Sequence, residues 1–299
     1  MTERPTRATT AGRAYLDLQN LARRDRRPTD ELLQIYALEG FLARLAVSEH
    51  ADRLVLKGGV LLAAFDTRRP TRDIDFQGQR IPGDETYLRD VVLGIADIEL
   101  DDGLDFDYDD VAVETIRDEE TYSGVRIIFS ARLSVARLRL HVDINVGDPV
   151  WPGPRPVPLP RLLGGHIDLV GYPLTMVFAE KLVTAIQRGT ANTRWRDFAD
   201  IYLLFRRHDV NGVELAEAVG RVAAHRQALL APLSEALDGF AGIAQARWRA
   251  WRRKQRLDGR LPEQFSELLD AVTGFADPVV SGTVNGWTWS AAEQQWQSH

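Results

Sequence analysis

Two carboxylates separated by one residue, Asp73 and Asp75, follow the pair Gly58-Gly59 by about fourteen residues. On a β-strand, residues two apart share a face, so both carboxylates would point one way while Ile74 and Phe76 enter a core. Paired glycines permit a tight turn and close approach of backbone to phosphate, and the free N–H groups of a following helix favour anions. The apolar run Leu54-Val55-Leu56 just ahead of them reads as a buried strand. Two acids on one face beside a phosphate cradle make a natural Mg²⁺ site for nucleotide chemistry.

A third acid completes the pattern. From Leu138 to Val146 the chain alternates strictly, with Leu138, Leu140, Val142, Ile144 and Val146 on one face and Arg139, His141, Asp143 and Asn145 on the other. Asp143 is the only acid of that polar face, where a third metal ligand would sit. Each feature also has a plainer reading. A Gly-Gly pair is commonly an ordinary turn, Asp73 and Asp75 suit turn and cap positions, and a lone Asp143 suits a solvated sheet face. Lys181 and Arg188, seven residues apart on a helix, share a face as surface charges often do. Asp197 with Asp200 is a common way to place negative charge in a helix's first turn. The information lies in their joint order.

That order resembles the nucleotidyltransferase fold shared with polymerase-beta-type enzymes. More narrowly, Lys57-Gly58-Gly59 with Thr71-Arg72-Asp73-Ile74-Asp75-Phe76 resembles the AbiEii-type nucleotidyltransferase toxins, which include the MenT toxins. The second half is similar too: a helix from Ala179 to Arg188 carrying Lys181, then Arg196-Asp197-Phe198-Ala199-Asp200. The resemblance spans about residues 50–205. One departure is Val60, where the family often has Thr or Ser; it removes a hydroxyl that would touch a phosphate.

The resemblance implies a toxin of a toxin–antitoxin pair that transfers NMP from an NTP to an RNA acceptor, the tRNA 3′ end in MenT relatives. Asp73, Asp75 and Asp143 would hold Mg²⁺ or Mn²⁺, with Asp143 open as metal ligand or general base. Gly58 and Gly59 would cradle phosphates, and Lys181 and Arg188 would reach the triphosphate. Asp197 or Asp200 would orient Lys181 or a base. Lys57 is open between a phosphate contact and a strand-end surface residue. The antitoxin would be a separate protein. Two alternatives stand beside this: transfer to a small molecule or a protein hydroxyl, and a non-catalytic nucleotide- or RNA-binding module, against which the three acids argue.

Composition bounds the rest. Hydrophobic residues make up 44% and charged residues 27%, ordinary globular usage. With no cysteine, a disulfide framework, a thiol nucleophile and a Cys-based zinc site are excluded. No apolar stretch approaches the roughly 18 residues of a membrane span, and Met-Thr-Glu-Arg-Pro-Thr-Arg lacks a signal-peptide core, so the cytoplasm is the expected compartment and no membrane partner is expected. The net charge of −6 argues against a polyanionic partner, but its distribution does not. Arg4, Arg7, Arg13, Arg23, Arg24, Arg26 and Arg27 crowd the N-terminal arm. Arg247, Arg249, Arg252, Arg253, Lys254, Arg256 and Arg260 crowd a helix near the other end, with Trp248 and Trp251 among them. Those tryptophans either stack on bases or anchor the helix in the core. The acids Asp101, Asp102, Asp105, Asp107, Asp109 and Asp110 resemble a calcium loop only superficially. Asp110 stands where the turn needs Gly and Ile116 where the bidentate Glu belongs, so a solvated strand or hairpin is expected.

The elements that would position these residues are an α+β arrangement: a nucleotidyltransferase-like mixed β-sheet with flanking helices, then a C-terminal helical bundle. Helices are expected over 9–26 and 29–47, a strand over 53–57, a short helix over 59–65 and the Asp-x-Asp strand over 73–77. A helix near 84–96 and strands near 104–115, 124–130 and 134–146 follow. Four prolines within 151–158 speak against regular structure and suggest a connection between halves, with domains at 1–150 and 151–299, the second completing the active site. Beyond a strand near 166–171, helices are expected over 174–189, 196–207, 212–238, 240–257 and 262–274. The Trp-rich last 20 residues read as a short appendage.

Overall fold

The computed structural model describes residues 4–117 and 123–298; Met1, Thr2 and Glu3 of the N-terminal reading lie outside them. The chain forms two compact units, Met1–Asp148 with Pro154–Gly171, and Pro149–Gly153 with Tyr172–His299.

The first unit opens with α1 (Thr10–Asp25) and α2 (Thr29–Ala46), followed by β1 (Leu54–Lys57). Next come α3 (Gly58–Leu61), which runs into a 3-10 turn (Leu62–Phe65), β2 (Asp73–Gly78) and α4 (Glu85–Ala96). Five further strands are β3 (Leu104–Arg117), β4 (Ser123–Leu133), β5 (Ala136–Val146), β6 (Arg155–Pro160) and β7 (His166–Gly171). They form one mixed sheet in the order β3-β4-β5-β2-β1-β7-β6. β2 is parallel to β5 and β1 to β7, the other pairs being antiparallel.

Period-two alternation divides the sheet's faces. Leu140, Val142 and Ile144 of β5, Ile74 and Phe76 of β2 and Phe129 of β4 are all buried on one face. Phe41 of α2 lies 6.5 Å from Phe76 and 5.9 Å from Phe129, ring to ring, joining helix to sheet. Each such side chain contributes about 1.5–3 kcal/mol by burial. The opposite face carries the candidate acids. The acid-rich stretch at 101–110 does enter a strand, with one exception to its solvation. Asp102 is buried, accepts from Arg44 at 2.6 Å and from the Leu104 N–H at 3.0 Å.

The proline-rich segment departs from expectation, because residues 155–160 form the edge strand β6 against β7. Pro156, Pro158 and Pro160 alternate, so the missing N–H groups all fall on positions facing away from β7, while Val157 and Leu159 are buried. An edge strand needs donors only at every second residue, and this pattern leaves them in place. The hairpin thereby belongs to the first unit rather than linking two halves.

The second unit holds α5 (Leu174–Arg188), α6 (Trp195–Phe205), β8 (Val210–Asn211), α7 (Gly212–His225), α8 (Leu233–Ala236), α9 (Phe240–Lys254) and α10 (Phe265–Val280). The helix expected over 212–238 ends instead at His225. Gln227 takes a left-handed conformation (φ 50°), Ala228 N–H donates to Ala223 O at 2.8 Å and Gln227 N–H to Ala224 O at 3.3 Å. This is a Schellman closure built without glycine. α10 also runs past Gly274, where a stop was expected, and accommodates Pro278 near its end. The Trp-rich tail is integral to the unit. β9 (Trp287–Ser290) and β10 (Gln295–Ser298) form a hairpin that joins β8. Trp289 donates to Phe205 O at 2.8 Å, and Trp296 donates to Phe275 O at 3.0 Å while stacking on its ring.

Candidate active site

The register of four adjacent strands sets one row of charges on the polar face of the sheet. Lys57 of β1 pairs with Asp75 of β2, Asp75 with Asp143 of β5, and Asp143 with Arg126 of β4. One residue pair along, Asp73 lies beside His141. Cation, acid, acid and cation therefore stand side by side, at the spacing where cross-strand pairs interact directly.

Asp75 is the most perturbed member. Gly58 has φ +67°, and a Cβ built on it would come within 1.9 Å of Asp75 Oδ2. The carboxylate thus packs onto bare backbone, which only glycine permits here in both conformation and space. Desolvation foremost, then the neighbouring Asp143 and Asp73, push the Asp75 pKa up to about 6 against the opposing pull of Lys57 and Arg69. Asp73 is more exposed, its Oδ1 lying 3.0 Å from His141 Nδ1. Gly59 faces the loop before β2: a Cβ there would meet Arg69 Nη2 and Thr71 Oγ1, each at 3.0 Å. A shallow depression is lined by Gly59, Val60, Arg68, Arg69 and Thr71 together with Glu39 and other α2 residues. Lys57 Nζ is held 3.2 Å from Asp148 Oδ2 at the end of β5.

Asp143 is not free. Arg126 Nε and Nη2 each donate to a different Asp143 oxygen at 2.7 Å, and Nη2 is also 3.9 Å from Asp73 Oδ2. This bidentate clamp is the strongest geometry available to a carboxylate, and the two acids beside it raise the Arg126 pKa above its already high ordinary value, the Asp143 hydrogen bond contributing most. Among the described residues, no three His, Asp or Glu side chains converge closely enough to hold a metal ion. Asp143, expected as a third metal ligand, here accepts from Arg126 through both oxygens. The Asp73–Asp75 pair still fits a hard divalent ion. Mg²⁺ is usually held by one or two carboxylates plus substrate phosphates, and Asp73 and Asp75 are two carboxylates on one strand face.

The remaining candidates belong to the second unit. Lys181 of α5 donates to Asp197 Oδ1 and to Asp200 Oδ2 of α6, both at 2.8 Å. Burial pushes the Asp197 carboxyl up, but Lys181, with Arg194 and Arg196, outweighs it and holds the group below the usual range. Arg188 is the last residue of α5, partly exposed and two turns beyond Lys181.

Residues 40–271 match the family described as nucleotidyl transferase AbiEii toxin, type IV toxin–antitoxin system. The chain belongs to the AbiEii toxin family. It is accordingly a nucleotidyltransferase of a toxin–antitoxin system, and an NTP substrate and an antitoxin partner follow from membership. No curated protein matches the chain. Two solved structures resemble it at low identity. A Helicobacter pylori candidate nucleotidyltransferase is 14% identical with TM-score 0.47, covering 85% of this chain and 95% of its own. JHP933, also from Helicobacter pylori, is 13% identical with TM-score 0.45, covering 90% and 92%.

Within this AbiEii chain, three residues of the site are absent from the sequence reading, Arg69, Arg126 and Asp148. Arg126 has a readable signal. β4 and β5 are joined by the two-residue loop Ser134-Val135, with Leu133 opposite Ala136. Counting seven residues back along each strand from that turn brings Arg126 opposite Asp143.

Proposed function

We propose that this AbiEii toxin transfers NMP from an NTP to an RNA acceptor, with a divalent ion bound at Asp73 and Asp75, the tRNA 3′ end being the specific acceptor favoured by the resemblance. The observation that carries the reading is the in-register row Lys57–Asp75–Asp143–Arg126 beside Gly58. In the reaction, an acceptor hydroxyl oxygen bonds to the α-phosphorus, the bond to the pyrophosphate oxygen breaks, and the hydroxyl proton must leave. Mg²⁺ or Mn²⁺, when bound, supplies charge neutralisation of the triphosphate and of the leaving pyrophosphate.

This chain's own residues do the rest. Asp73 and Asp75 present oxygens from one strand face to the ion, and Asp143 on the neighbouring strand is open as a further ligand or as the base for the hydroxyl proton. Asp143, with both oxygens accepting from Arg126, serves as a metal ligand only once Arg126 turns away. Backbone N–H groups at Gly58 and Gly59 receive phosphate oxygens, with Arg69 and Thr71 at hand beside Gly59. Lys57 balances Asp75. Lys181 and Arg188 are assigned to the triphosphate on the resemblance alone, with Asp197 and Asp200 fixing the Lys181 ammonium. The reaction is placed in the cytoplasm, where NTPs and tRNA reside.

The test is incubation of purified protein with total RNA, Mg²⁺ and each labelled NTP, beside Asp73→Ala and Asp75→Ala. Label in a tRNA-sized band with one NTP, absent in both variants, is the expected result. Label on no RNA, from folded protein with metal present, would overturn the RNA acceptor in favour of a small-molecule or protein hydroxyl.

A further inference from the structure

Helix α9, Phe240–Lys254, contains no acidic residue, in a chain whose net charge is −6. Its buried stripe is Phe240, Ala244, Trp248 and Arg252. Trp248 is fully buried, donates to Pro262 O at 3.2 Å, and stacks on the half-buried Trp251. The two tryptophans therefore anchor the helix and are not free to stack on bases. Arg252 belongs to the anchor too, donating to Leu261 O at 2.9 Å and pairing with Asp258 at 3.4 Å.

The exposed side is organised differently. At 100° per residue, Arg249 and Arg253 line one flank of the exposed face and Arg247 and Lys254 the other. Between them the ridge is Ala246 and Ala250, with the exposed Ile243 one turn nearer the helix N-terminus. No acidic side chain pairs with Arg247, Arg249, Arg253 or Lys254 among the described residues. Arg256 and Arg260 continue the exposed basic surface past the helix end. Complementing the helix dipole accounts for Arg253 and Lys254 in the last turn, but not for Arg247 and Arg249 upstream. Repulsion among uncompensated cations on one face disfavours the folded state, and a polyanion is the ligand that relieves it.

We infer that the exposed face of α9 is the RNA-docking surface of this toxin, two basic rails gripping the phosphodiester backbone across a low alanine ridge. Such rails read backbone charge and not base sequence, so they position an acceptor without selecting it. The inference rests on the RNA-acceptor reading for the identity of the polyanion.

The experiment uses the full chain in EDTA without NTP, so that catalysis is off. The probe is a fluorescein-labelled RNA hairpin with a single-stranded 3′ end, followed by anisotropy across a KCl series. The quadruple variant Arg247→Glu/Arg249→Glu/Arg253→Glu/Lys254→Glu is expected to bind on the order of tenfold or more weakly. Its log K against log salt slope is expected to be shallower by roughly 0.7–0.9 for each phosphate that the variant no longer neutralises. Arg249→Gln/Arg253→Gln, the milder change, is expected to fall between, with circular dichroism and melting confirming that both variants fold. A native chain that docks this hairpin in EDTA yet, given Mg²⁺ and each NTP in turn, never labels it refutes the proposed reaction and leaves the docking surface standing. Unchanged affinity and slope in the folded quadruple variant would overturn the inference. So would equal binding of poly-glutamate at matched charge, which would make the face a site for an acidic protein.

Discussion

Replacing Arg126 with Met separates the two things this arginine does to Asp143. Asp143 is 10% exposed and Arg126 29% exposed, and two 2.7 Å hydrogen bonds join them. Without the guanidinium, Asp143 lies buried beside Asp75 and near Asp73 with Lys57 as the nearest remaining cation of the row. Breaking a buried pair by removing one partner costs ~3–5 kcal/mol, and the partial exposure of Arg126 brings this one below that range, to about 2–3 kcal/mol. The melting temperature of Arg126→Met in EDTA should therefore fall by roughly 5–10 °C, at about 2–4 °C per kcal/mol. The same substitution releases both Asp143 oxygens as metal ligands. Mn²⁺ titrated without nucleotide, read by calorimetry and by loss of the free-ion paramagnetic resonance signal, should bind Arg126→Met on the order of tenfold more tightly. Mn²⁺ should also restore much of the lost melting temperature, since ligand at 100 times Kd stabilises by about 2.7 kcal/mol. Adding Asp143→Asn in that background should return Mn²⁺ affinity to the native level. Unchanged or weaker Mn²⁺ binding by Arg126→Met, in protein shown to be folded, would refute the argument that Arg126 withholds Asp143 from the metal.

Three further perturbations follow from the same geometry. Asp75 holds its proton up to about pH 6 when folded against an ordinary 3.8. The folded state then binds more protons between those values, and stability falls as pH rises through that window. Asp75→Asn removes the penalty, so in EDTA it should be more stable than the native chain above pH 6, by up to about 2–3 kcal/mol, and indistinguishable from it below about pH 4; urea melts at both pH values check this. Gly58→Ala should cost more than about 1 kcal/mol from the left-handed backbone alone. It should cost more still because its methyl displaces the Asp75 carboxylate, so nucleotide transfer should be lost along with stability. Lys181→Met leaves Asp197 and Asp200 buried without their shared ammonium and should cost ~3–5 kcal/mol near pH 7. The triple variant Lys181→Met/Asp197→Asn/Asp200→Asn should regain stability but not transferase activity, which separates the structural role of Lys181 from its proposed part in the reaction.

What the sequence discloses here depends on whether a signal is local. Asp73 and Asp75 are legible because a period of two places them on one face without reference to any other strand. The same holds for the alternation that isolates Asp143 between Val142 and Ile144. That Asp75 and Asp143 are neighbours is a tertiary fact, fixed by parallel pairing of β2 with β5 across sixty-odd intervening residues, and only the family resemblance anticipates it. Arg126 hides for a different reason: in Gly124-Val125-Arg126-Ile127-Ile128-Phe129 it is one charge in an apolar strand, with nothing local to distinguish it from a solvated residue. The prolines of β6 mislead because the rule against proline in sheets concerns central strands, and edge position is decided by what fails to pair on the far side. In α7 the helix stops after His225 because Gln227 turns left-handed and Ala228 can close on Ala223, a choice to which glycine-based reading is blind.

The order of charges across the sheet bears on why the toxin keeps acids so close together. Three carboxylates on adjacent positions of two strands repel one another, and part of that repulsion is visible in the raised Asp75 pKa. Lys57 and Arg126 stand at the two ends of the row, one strand out on each side, so the apo chain tolerates the cluster with its own cations. They act unequally. Lys57 is drawn toward Asp148 at 3.2 Å, whereas Arg126 clamps Asp143 through two bonds. Asp75 stands between them with its carboxylate packed against Gly58, on the side of the row where a metal-bound triphosphate would deliver positive charge and take up backbone N–H groups at once. A row neutralised evenly would be more stable and would bind that ligand less well, since the binding energy comes from replacing an incomplete internal partner with a complete external one.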